Sequence, residues 1–182
     1  MADVILLLFV ALLSARPQVR ADTTTVIQGY ANGLAAIRAA NPDVHLSLGQ
    51  DGAVPGQRVL MVDYPAPSAD PAGRDVRCNA DATDWRAGRA IEFQVNPDHA
   101  IRLSVSFMDR NGVVYSERPD LEGGKWQRIR IAFDAIRPNP YFQPPNAITG
   151  RPLDVSDVKF IAFAPQDPAA GRVAVGPFMV AP

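Results

Sequence analysis

A chain of 182 residues with 47% apolar and 20% charged side chains has the makeup of one globular domain, long enough to bury a core without disulfides or a structural metal. Its formal net charge of −1 argues against broad electrostatic capture of nucleic acid or anionic lipid, so neither partner is expected of the mature chain. The 17 prolines and 13 glycines exceed what helices tolerate and favour short strands between loops.

Val4 to Leu13 contains no polar residue, yet is too short to span a bilayer as a helix. Val19-Arg20-Ala21 follows with the small side chains that a signal peptidase reads. Residues 1–21 are therefore read as a signal peptide cut after Ala21, with Ala15 as the second position. Residues 22–182 form the mature domain, secreted or periplasmic. No cysteine follows the apolar run, which argues against lipoprotein attachment. Cys78 is the only cysteine, so no intramolecular disulfide is possible. Polar Arg77 and Asn79 place it on a strand edge with the sulfur turned inward. His45 and His99 lie far apart and lack metal-ligand spacing.

Val26 to Ala40 carries Ile27, Tyr30, Leu34 and Ile37 at helical spacing, but Asn32-Gly33 inside it favours a short strand ending in a turn. From Val44 onward period-2 alternation dominates. Val44, Leu46 and Leu48 share one face, and Leu60, Val62 and Tyr64 the next. Ile91, Phe93 and Val95 face inward against Glu92 and Gln94. Ile101, Leu103, Val105 and Phe107 oppose Arg102, Ser104, Ser106 and Met108. Asn111-Gly112 is the strongest hairpin signal, because both residues accept positive φ. Ile129, Ile131 and Phe133 point in, and Arg128 and Arg130 point out. Pro138 to Pro152 reads as a long ordered loop, a kind that is often functional. Val158 to Ala164 and Arg172 to Val180 close the series, the last interrupted by Gly176-Pro177. The expected fold is all-β: a two-sheet antiparallel β-sandwich of about eight to ten strands.

Leu60-Met61-Val62-Asp63-Tyr64, Asp84-Trp85, Ile91-Glu92-Phe93-Gln94-Val95, Lys125-Trp126, Ile129-Arg130-Ile131-Ala132-Phe133, Leu153-Asp154-Val155-Ser156-Asp157-Val158 and Ile161-Ala162-Phe163 occur in that order. The ordered set resembles the galactose-binding-like jelly rolls found among carbohydrate-binding modules. It is also similar to the complex I intermediate-associated protein family, which shares that fold. Relatives of this kind often carry aspartates in the closing strand, some helping to hold a structural calcium. Here Val175-Gly176-Pro177-Phe178 offers no carboxylate, and only the loop residues Asp51, Asp70 and Asp75 remain as oxygen donors, so no cofactor is expected.

The resemblance implies a non-catalytic binding domain whose partner is a carbohydrate or polysaccharide. Candidate ligand-binding residues are the outward-facing Asp63, Glu92, Gln94, Arg102, Ser104, Arg128 and Arg130, which can grip hydroxyls, although a merely solvated face alternates in the same way. Tyr115 and Tyr141, with Phe142, add aromatic surface near turns or loops. This grouping takes the strands of Arg102 and Arg128 as near neighbours in one sheet. Trp85 and Trp126 read as packing residues. A second reading is a protein-interaction or assembly domain with another secreted protein as partner. The chain runs only two residues past its last strand, so no attached catalytic domain is expected, which favours that reading. A third is a jelly-roll hydrolase or lyase using Asp63 and Glu92 on adjacent strands. No nucleophile elbow or phosphate-cradling glycine loop supports catalysis, and no catalytic residue is assigned.

Overall fold

The computed structural model describes residues 24–50, 53–67, 73–80 and 82–182, so the expected leader, Asp51 and Asp70 lie outside the described residues. Among the described residues there is no α-helix. Residues 26–40 resolve accordingly: Thr25–Gln28 (β1) and Ile37–Ala39 (β2) flank a turn in which Gly33 takes φ 65°, the conformation glycine accepts without a Cβ clash. The remaining strands are β3 (His45–Gly49), β4 (Val59–Tyr64), β5 (Val76–Asn79), β6 (Ala90–Pro97) and β7 (Ile101–Asp109). They continue with β8 (Val114–Glu117), β9 (Asp120–Leu121), β10 (Gln127–Ala132), β11 (Arg137–Pro138), β12 (Val158–Gln166), β13 (Gly171–Val175) and β14 (Phe178–Ala181). They outnumber the expectation because pieces as short as β9 and β11 show too little alternation to be read.

The strands form two antiparallel sheets, so the all-β sandwich is confirmed. In the first, β6 pairs with β10 on one side and with both β13 and β14 on the other. β13 then pairs with β4, which pairs with β3, while β14 pairs with β1. β13 and β14 are thus two halves of one line, broken at Gly176-Pro177. The break is secured from both sides: Gly176 N–H donates to the Gln94 carbonyl (2.7 Å), and its carbonyl accepts from the Tyr30 hydroxyl (3.0 Å). Tyr30 is fully buried at φ 58°, and that burial pushes its phenol well above the usual range, with Cys78 adding to the effect.

The second sheet runs β2-β5-β12-β7-β8-β11, with β9 beside β7. Alternation fills the space between the sheets. Phe178 of β14 meets Phe93 of β6 (ring centroids 4.7 Å) and reaches Phe163 of β12 across the sandwich (6.2 Å). Cys78 turns inward and is fully buried, but its strand β5 lies between β2 and β12 rather than at the sheet edge. Trp85 is fully buried, whereas Trp126 is only half-buried.

Candidate functional site

The outer face of the second sheet carries a cleft of about 540 Å³, within the size range of small-ligand sites. Register explains its shape. Arg77, Ala162, Ser106 and Ser116 stand in one row across β5, β12, β7 and β8. Ala164 stands opposite Ser104 on one side of that row, and Phe160 opposite Met108 on the other. Small side chains on the two central strands leave a trough, and Phe160 and Met108 raise its end. Asp75 and Arg77 line one flank.

The opposite flank is the loop after β11, and local hydrogen bonds fix it. The Asn139 carboxamide oxygen accepts from the backbone N–H groups of Tyr141 (2.9 Å) and Phe142 (3.2 Å), an Asx turn that sets the direction of both side chains. Gln143 takes the place of a strand beside β8: its amide donates to the Val114 carbonyl (2.7 Å) while its oxygen accepts from Val114 N–H (3.0 Å). Tyr141 is consequently held at 78% exposure and Phe142 at 61%, the two most exposed large apolar side chains among the described residues. Two aromatic rings fixed by their backbone and left largely exposed are surface available to a ligand.

Two arginines lie over aromatic rings of the cleft, Arg77 as a lining residue and Arg118 from just outside it. The Arg118 guanidinium lies 4.5 Å from the Tyr141 ring centroid, and that of Arg77 lies 4.0 Å from the Phe160 centroid. Desolvation raises the Asp75 carboxyl above the usual range, and Arg77 pulls it back by less. A depression of similar size, about 530 Å³, lies by Arg89, Phe133 and Leu153. Its aromatic wall is committed to packing, since Phe133 stacks on Trp85 at 5.9 Å.

The sequence-expected residues divide between the two faces. Ser104 and Tyr141 enter the cleft. Arg102 shares β7 with Ser104 but lies toward one end, with its guanidinium paired to Asp120 (2.7 Å). Tyr115 is corrected outright as aromatic surface: it stands opposite Phe107 on the inner face of its sheet and is 1% exposed within the core, with its hydroxyl donating to the Arg151 carbonyl (2.9 Å). Asp63, Glu92, Gln94, Arg128 and Arg130 all lie on the outer face of the first sheet. Arg102 and Arg128 therefore belong to different sheets, not to neighbouring strands of one.

That first-sheet face is self-neutralising. Glu92, only 3% exposed, is gripped by Arg128 and Arg130, and Arg130 also donates to the Pro182 carbonyl. Burial pushes the Glu92 carboxyl up, but hydrogen bonds from the two arginines outweigh it and hold the group below the usual glutamate range. Asp63 pairs with Arg172 (2.5 Å). Its strand β4 is separated from that of Glu92 by β13, so the two acids are not on adjacent strands. Among the described residues, no three histidine, cysteine or acidic side chains cluster as a metal site.

Sequence reasoning missed Arg77, Phe160 and Arg118 as parts of the site. Arg77 had a signal, since Val76 and Cys78 alternate with Arg77 and Asn79. Arg118 had none, because it lies between strands.

The architecture is the expected jelly-roll β-sandwich, and it is shared with solved carbohydrate-binding modules. A family 11 carbohydrate-binding module from Clostridium thermocellum, solved in complex with a β-1,3-1,4-mixed-linked tetrasaccharide, matches with a TM-score of 0.68 at 17% identity, over 87% of this chain and 95% of that one. The family 11 module of the cellulosomal cellulase Lic26A-Cel5E of Clostridium thermocellum gives 0.67 at 18%, over 89% and 96%. An exo-β-agarase gives 0.59 at 14%, over 87% of this chain and 25% of that one. At these identities the likeness establishes the fold. No protein-family model matches the sequence, and no curated protein does.

Proposed function

We propose that the protein is a non-catalytic carbohydrate-binding domain and that the second-sheet cleft is its polysaccharide site. The observation that carries this reading is the pair Tyr141 and Phe142, largely exposed yet fixed beside a trough of small and hydroxyl-bearing side chains. Aromatic faces cover the apolar ring hydrogens of a sugar, and Ser104, Ser106, Asp75 and Arg77 supply hydrogen-bonding groups for its hydroxyls. The solved neighbours include a module bound to an oligosaccharide, which supports the same reading. Binding of millimolar to micromolar strength is expected, about 4–8 kcal/mol.

Titration calorimetry against a panel of neutral and acidic polysaccharides tests it. Tyr141→Ala and Phe142→Ala should each weaken binding by about ten-fold, a loss of about 1.4 kcal/mol, without lowering the melting temperature. Affinity unchanged by both substitutions would remove the cleft as the site. Absence of heat with every polymer, together with a protein partner co-purifying from the native source, would replace this reading with the assembly domain.

We further propose that the domain works outside the cytoplasm, in a secreted or periplasmic setting, after removal of residues 1–21. Support comes from the apolar run Val4 to Leu13 and from Val19-Arg20-Ala21. Mass spectrometry of protein from the native source should find a chain beginning at Asp22. An intact Met1 in a cytosolic pool would contradict this.

A further inference from the structure

Several arginines elsewhere on the domain are neutralised. Arg86 pairs with Asp84, Arg110 with Asp154, Arg172 with Asp63, and Arg128 and Arg130 with Glu92. Others are not: among the described residues Arg58, Arg74 and Arg137 donate to backbone carbonyls instead, and Arg89 and Arg151 have no carboxylate within ion-pairing distance. The same holds, among the described residues, for the arginines around the cleft, Arg38, Arg77 and Arg118.

Arg38 and Arg77 are direct cross-strand partners on β2 and β5. Like charges opposed in this way repel, so the free protein carries an unfavourable arrangement that an anion between them would relieve. Arg77 and Arg118 rest their guanidinium groups over aromatic rings of the cleft, Phe160 and Tyr141. Stacking leaves the in-plane N–H donors of an arginine free, and that fork fits the oxygens of a carboxylate or sulfate. The row that holds Arg38 and Arg77 continues through Ala162 and Ser106, so the cations stand beside the trough and not on a distant surface.

We infer that the preferred ligand is an anionic polysaccharide, bearing carboxylate or sulfate groups, whose charges meet Arg38, Arg77 and Arg118 while its sugar faces meet Tyr141 and Phe142. This rests on the carbohydrate reading above.

The test uses polymers that differ only in charge: polygalacturonate against its methyl ester, and dextran sulfate against dextran. At low salt the charged member of at least one pair should bind about ten-fold more tightly, and the difference should shrink as salt shortens the screening length. Arg77→Ala should abolish most of that difference, Arg38→Ala should reduce it, and Arg86→Ala, outside the cleft, should leave it intact. Melting curves of all three variants separate loss of binding from loss of fold. A response to one pair alone identifies which anion is read. Equal or tighter binding of the uncharged members would overturn the anionic preference and leave the carbohydrate reading standing. An equal effect of Arg86→Ala would reduce the preference to diffuse charge and overturn it. No binding to any of the four polymers or to neutral glucans would overturn both.

Discussion

Trp85→Ala is expected to lower the stability of the domain by about 3–5 kcal/mol, the range for emptying a large aromatic site in a packed core. The ring is fully buried, stacks on Phe133 at 23° between planes and meets Phe107 edge-on at 5.7 Å. Its indole N–H donates to the Ala82 carbonyl (2.8 Å), so truncation also leaves a half-buried acceptor without that donor. The backbone N–H of Trp85 donates to the Val155 carbonyl (2.7 Å), which ties this part of the core to the segment preceding β12. Trp126→Ala serves as the internal comparison. That ring is half-buried, so about 1–2 kcal/mol is expected there. Urea denaturation followed by circular dichroism measures both, and a Trp85→Ala cost below that of Trp126→Ala would refute the assignment of Trp85 to the core.

Asp109→Ala should cost about 2–4 kcal/mol, for a different reason: it strands donors instead of opening a cavity. The carboxylate is 1% exposed at the end of β7. One oxygen accepts from the backbone N–H groups of Asn111 (2.9 Å) and Val113 (3.1 Å). The other accepts from the Asn111 amide (3.3 Å) and from Asp154 N–H (3.2 Å), far along the chain. One side chain therefore closes the β7–β8 turn and moors the long loop that walls the cleft. Asp109→Asn keeps one acceptor and puts an amide N–H against existing donors, so an intermediate loss is expected. Chemical denaturation of both variants provides the measurement, and a loss under about 1 kcal/mol for Asp109→Ala would contradict the role given to this carboxylate.

Alternation made the main strands legible, because each inward row needs its apolar side chains whichever neighbour it acquires. Ile91, Phe93 and Val95, and Ile161 with Phe163, are inward for that reason. What alternation does not carry is sheet membership. Arg102 and Arg128 both point outward, but from opposite layers, since the choice of partner strand is made by contacts distant in sequence. Tyr115 looked like turn-proximal surface beside Ser116. It is buried because β8 pairs with β7 in a register that sets Tyr115 beside Phe107 on the inner face, and a four-residue strand does not by itself say which of its two faces is inward. Of the site, the Tyr141-Phe142 loop was visible through its prolines and aromatics, as was Ser104. The arginine flank was harder to see: β5 offers only two periods of alternation to mark Arg77 as outward, and Arg118 lies between strands.

The broken line of β13 and β14 carries a further implication for how the domain comes into being. Residues 171–181 lie between β6 on one side and β4 and β1 on the other, so the middle of the first sheet is supplied by strands synthesised after all the neighbours they join. Until they emerge, β1 and β4 have no bridge to β6, and their apolar faces wait uncovered for partners encoded more than a hundred residues later. Such long-range closure makes folding slow and leaves a nascent chain exposed to aggregation in the interval. Nicks or truncations near Gly176 would therefore not fray an end of the sandwich; they would remove the seam that joins the early half of the first sheet to the rest.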